Sequence, residues 1–151
     1  MKRSLPVLIA LVLLFLTVGC NLNQEADFQK GKEAYEKEDY ATAEADYEKG
    51  WDAYIKDDYA TALREWRPLA EQGDTAAQYR LGTMYSNGEG IPKNGVYAYM
   101  WYNVAASAGD ELGELAAVAR DRIAKEMTPS QIERAQDLAS ECVEKKYKGC
   151  D

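Results

Sequence analysis

The chain has 151 residues, with 26 acidic and 18 basic side chains and a net charge of −8. Such a balance disfavours non-specific contact with nucleic acid or with anionic lipid, because both repel an acidic chain. The absence of histidine excludes histidine-dependent bases, triads and the usual zinc sites.

Lys2 and Arg3 precede an almost uncharged apolar stretch from Leu5 to Val18, which ends at Gly19-Cys20. This is the pattern of a targeting segment, too short for the roughly 20 apolar residues of a membrane span and followed at once by the polar run 21–25. Residues 1–19 are therefore expected to be a signal peptide and 20–25 a short polar tether. Thr17-Val18-Gly19-Cys20 resembles the lipobox of bacterial lipoprotein precursors, with Thr17 where Leu is usual. The resemblance implies cleavage before Cys20 and lipid on that cysteine. Asn21, in place of the Asp that retains such proteins in the inner membrane, implies export to the outer membrane, facing the periplasm. Ordinary signal cleavage after Gly19 and an uncleaved anchor are the alternatives. Several acyl chains at about 0.8 kcal/mol per buried methylene would make the attachment effectively permanent. With Cys20 assigned to lipid and the exported compartment oxidising, Cys142 and Cys150 are expected to form a disulfide; two free thiols near a frayed end are the alternative.

Residues 31–43 (GKEAYEKEDYATA) recur nineteen positions later as 50–62 (GWDAYIKDDYATA). Nineteen residues fit one helix of about 14 residues and its connection, so the unit is a helix and its turn. Residues 26–73 are thus expected to form N-terminal helices built from this duplicated unit, which resemble those of tetratricopeptide repeats. Asp39 and Asp58 serve as N-caps of a helix from Tyr40 to Lys56, read as continuous through Gly50 with a break there as the alternative, and of one from Tyr59 to Gln72. Pro68 is expected to bend the latter near Arg64 unless a neighbour compensates, and Gly73 to stop it.

From Asp74 to Gly109 the spacing describes an antiparallel helix pair. Ala77, Leu81, Met84 and Tyr85 share one face of the first helix, and Gly82 leaves room for a close partner. The turn 87–90 takes positive φ, Asn94 caps the second helix, and Tyr97, Trp101, Val104, Ala105 and Ala108 form its stripe. The Leu81-Gly82 pair, the spaced Gly88 and Gly90, Pro92, Trp101-Tyr102 and Ala105-Ala106 stand in register with the Sel1-like repeat, a relative of the tetratricopeptide repeat. Residues 74–109 resemble one complete unit. Residues 110–151 are expected to hold a degenerate half-repeat, lacking the Leu-Gly and Gly-x-Gly marks in register, and a capping helix. Thr128, Pro129 and Ser130 open that helix, which carries Ile132, Ala135, Leu138, Ala139 and Cys142 on one face. The fold expected is all-α, a right-handed superhelical stack of antiparallel helix pairs with the last helix as a lid.

No constellation points to catalysis, metal binding, a cofactor or a small-molecule substrate. The acidic residues sit at helix ends beside lysines, and Gly88-Glu89-Gly90 follows a helix, not the strand that precedes a phosphate loop. In tetratricopeptide-like stacks the first helices line the concave groove, so Gln78, Tyr79, Arg80 and Thr83 are the candidate protein-binding residues. The resemblance implies a lipid-anchored scaffold or adaptor that binds other proteins of the cell envelope, not an enzyme. Alternatives are a regulator that sequesters a periplasmic sensor, or an enzyme like the cysteine-rich Sel1-like proteins linked to β-lactam binding or hydrolysis. Those carry a disulfide within each repeat, and residues 74–109 contain no cysteine.

Overall fold

The structure, a computed structural model, describes Lys37 and residues 41–150. The expected signal peptide, the tether with Cys20, and the N-terminal helices before 41 therefore lie outside the described residues, apart from Lys37. The chain divides into two compact units, Met1–Thr42 and Ala43–Asp151.

The described residues of the second unit are helical, with no strand among them. Helix α1 runs over 43–54 within this unit, followed by α2 (Tyr59–Ala70), α3 (Thr75–Asn87), α4 (Gly95–Ala106), α5 (Glu111–Ala124) and α6 (Pro129–Glu144). Each helix from α2 onward begins where a short polar side chain can satisfy free backbone amides. Asp58 accepts from Thr61 N, Asp74 from Ala77 N, Asn94 from Val96 N and Tyr97 N, and Asp110 from Gly113 N. Thr128 and Gln131 form a reciprocal capping box ahead of α6.

Helix α1 passes through Gly50 without a break because its missing side chain admits the indole of Trp66, which a Cβ there would strike. It ends at residue 54, earlier than Lys56, in a turn where Asp57 takes φ +60°. Helix α2 stays one helix through Pro68, which stands in its last turn, and stops at Ala70 instead of Gln72.

Neighbouring helices pack in sequence order from α2 to α5 around a core that includes Trp66, Leu81, Met84, Met100, Trp101 and Tyr102. Helices α3 and α4 approach closely, with Gly82 lying directly against the Tyr102 ring. Ala108, expected on the α4 stripe, lies beyond the end of that helix and is exposed. The last helix departs from a regular stack of pairs. Helix α6 lies on α4 and not on its sequence neighbour α5, so it covers the second helix of the repeat and leaves the outer side of α5 open.

Behind α6 the chain is held by a disulfide between Cys142 and Cys150, with Cα atoms 5.0 Å apart. The loop it closes carries Lys146 and Tyr147 at φ +52° and +65°, left-handed conformations that cost a non-glycine residue roughly 1 kcal/mol or more each. A hydrogen bond from Tyr147 N to the Cys142 carbonyl (2.8 Å) holds this bend and directs the Tyr147 ring over Gly73, at the corner between α2 and α3.

Candidate protein-binding surface

The four candidate residues on α3 do not form one surface. Gln78 is 2% exposed, and its Nε2 donates to the Ala70 carbonyl at 3.1 Å. That carbonyl ends α2 and also accepts from Gly73 N at 3.1 Å, so Gln78 adds a second donor, ties α3 to the end of α2 and is withdrawn from the contact set. Thr83 is also engaged internally: its hydroxyl donates to the Tyr79 carbonyl (3.1 Å) and accepts from the Tyr102 hydroxyl (3.3 Å).

Tyr79 and Arg80 remain partly exposed, and Arg80 meets residues of α1 that sequence spacing did not assign to the site. The Arg80 guanidinium lies over the Trp51 ring at 4.4 Å from its centroid, with the rings of Trp66 and Tyr79 each at 5.8 Å. Its Nε donates to the Tyr47 hydroxyl at 3.0 Å. Tyr47, Trp51 and Tyr54 recur every turn along one face of α1, so the helical period carried the signal that would have found them. Trp66 anchors that face from α2 by donating from Nε1 to the Tyr47 carbonyl at 3.1 Å.

The guanidinium is thereby fixed in orientation by ring faces and one hydrogen bond. The described ion pairs do not include it: Arg64 is paired with Glu65 and Arg120 with Asp121, each an immediate neighbour. A planar cation held in this way keeps its outer N–H groups available for a planar acceptor such as a carboxylate.

Next to this patch the repeat's turn docks onto α1 and α2. The Tyr54 hydroxyl donates to Glu89 at 2.9 Å, and Gly90 sits against Tyr59, where a Cβ would come within 2.8 Å. Burial, and then the hydrogen bond to the Glu89 carboxylate, push the Tyr54 phenol up to about 12. Burial likewise raises the Tyr102 phenol. Both shifts favour the neutral hydroxyl, the form that donates to Glu89 and to Thr83.

Among the described residues no cluster of cysteine and carboxylate side chains could hold a metal ion. An open cleft of about 170 Å³ lies beside the disulfide, between Tyr97, Leu138 and Lys145, and faces none of the candidate residues.

Residues 75–110 match the family model of the Sel1 repeat, which spans α3, α4 and their connecting turn. No curated protein and no solved structure matches the chain.

Proposed function

We propose that this chain, built around a Sel1 repeat, is a scaffold or adaptor of the bacterial cell envelope that holds other proteins against the α1–α3 face and is itself tethered by lipid at Cys20. Sel1 repeats are helical-repeat scaffolds for protein–protein contact, which supports the coarser part of this reading. The finer part rests on one observation, the Arg80 guanidinium laid on Trp51 among Tyr47 and Tyr79 at a partly exposed junction of two helices. Arg, Trp and Tyr are the residue types that dominate binding energy at interfaces, because they offer large rigid area together with a polar group. The lipobox resemblance at 17–20 supports an outer-membrane address facing the periplasm.

The test is in-cell photo-crosslinking of the full chain with a benzoylphenylalanine at position 79. A specific envelope protein should be captured, and capture should fall with Arg80→Ala and with Arg80→Lys, which keeps the charge but loses the flat stack. Absence of any protein adduct at 79, or adducts indifferent to both changes, would refute the assignment of this face. For the tether, Cys20→Ser should abolish acyl labelling and membrane fractionation, and retention of either refutes it.

A further inference from the structure

Five large apolar side chains are exposed among the described residues, and three of them, Leu112, Leu115 and Val118, stand together on α5. Leu115 is 50% and Val118 68% exposed, while the small residues Gly113, Ala116 and Ala119 are turned inward. Because α6 packs on α4, it offers this face no cover.

The pattern along the open face decides what fits it. Glu111, Leu115, Val118 and Arg122 follow one another at intervals of four, three and four residues, which puts them in a single stripe on α5. Read from either end, the stripe is a charge, two apolar residues and a charge of opposite sign. Laid parallel, two such stripes would set acid against acid and base against base. Laid antiparallel, both ends become opposite-charge pairs and the apolar residues meet in the middle, the self-complementarity that a two-fold interface requires.

We propose that α5 is a self-association surface, on which a second copy of this chain packs its own α5 antiparallel, Leu115 against the partner's Val118 and Glu111 against the partner's Arg122. The overall charge of −8 opposes association of two copies by any unspecific route, so a face that supplies its own cation opposite its own acid has a selective advantage over the rest of the surface. On one flank Leu112 extends the apolar contact. On the other, Asp121, the acidic residue nearest the partner's Glu114, is already held by Arg120 Nη2 at 2.8 Å, which offsets the like-charge approach.

The experiment uses the full chain expressed in bacterial cells as two differently tagged copies, with a benzoylphenylalanine at position 118. An adduct carrying both tags and joined near Leu115 is the expected product. Glu111→Lys and Arg122→Glu, each alone, turn two attractions into two repulsions and should cut the adduct yield by at least about fivefold. The double variant Glu111→Lys/Arg122→Glu should restore it. That restoration cannot come from a better α5, since an acid near the N-terminus and a base near the C-terminus already suit the helix dipole and the exchange places both charges at the wrong ends. No doubly tagged adduct, an adduct unaffected by either single change, or failure of the double variant to recover overturns the proposal.

Discussion

Replacing Gly82 by Ala adds one methyl group in the middle of α3, and the structure fixes both the sign and the size of the effect. In an open helix the change would stabilise by about 1 kcal/mol. Here the new Cβ would stand 2.6 and 2.7 Å from two ring carbons of Tyr102, against an ordinary carbon–carbon contact of about 3.5–4.0 Å. The ring has little freedom to withdraw: Tyr102 is 2% exposed, its hydroxyl is bonded to Thr83, and the Tyr79 ring packs against it with centroids 5.6 Å apart. Overpacking of a tight core costs about 1–3 kcal/mol, and a rigid neighbour at this distance belongs at the upper end. The net expectation is a loss of about 2 kcal/mol, or a melting temperature about 8–16 °C lower for a domain of this size. Gly95→Ala is the matched control, since its Cβ meets only Met127 and Ile123 at 3.9 and 4.0 Å. It should be neutral or stabilising by up to about 1 kcal/mol. Thermal and urea unfolding followed by circular dichroism and tryptophan fluorescence read both variants. A Gly82→Ala protein as stable as the parent would show that α3 and α4 are not packed through this glycine.

Reducing the Cys142–Cys150 disulfide should cost about 2.5 kcal/mol of loop-closure stabilisation and free Tyr147 from Gly73. Amide exchange should then rise at 145–150 before it rises in α3 and α4, and a simultaneous rise would contradict the local role. The Tyr54 phenol, raised from 10.0 to about 12, is favoured as neutral by the folded state, so its contribution is whole below pH 10 and is lost as pH climbs through about 12. Tyr54→Phe should flatten the fall of stability across that window, and an unchanged alkaline slope would rule this out. Gln78→Leu removes the side-chain donor to the Ala70 carbonyl, which keeps its bond from Gly73 N, and should cost about 0.5–1.5 kcal/mol while leaving capture at position 79 intact in the protein that remains folded.

Helix starts were legible where they depend on single residues: a short acceptor at Asp58, Asn94 or Thr128 satisfies amides two or three residues on, whatever the rest of the chain does. Gly82 was legible for a related reason, standing on the same helical face as Leu81 and Tyr85. Gln78 misleads because its polarity suggests solvent, although it lies one turn before Gly82 on that buried face. Its burial depends on the Ala70 carbonyl, which already accepts from Gly73 N, coming within reach as a second contact, and sequence spacing does not reveal that. The Arg80 patch needed α1 to be placed beside α3, a contact between residues 29 positions apart at Trp51 and Arg80. The seating of α6 on α4 was hidden in the same way, since an amphipathic helix after a helix reads as the second member of a pair whichever neighbour it chooses.

The roll of α5 about its own axis gives the open stripe an energetic meaning. Asp110 fixes the first turn by accepting from Gly113 N, and a Cβ at Gly113 would come within 3.1 Å of the Ala105 carbonyl, so the helix can lie this close to α4 only on its small-residue side. Leu115 and Val118 are then exposed by the same contact that seats α5. Each forgoes part of the roughly 1.5–3 kcal/mol that full burial of such a side chain supplies, and the end of a repeat array ordinarily turns a polar side outward. Leu115→Ser/Val118→Ser separates a face that is merely tolerated from one that is used. In dilute protein the double change should move stability by no more than about 0.5 kcal/mol for each site, as for other exposed positions. At high concentration the parent should melt progressively higher as association adds to its stability, whereas the double variant should melt at one temperature throughout. Parent and variant melting alike at every concentration would mean that no second copy covers α5.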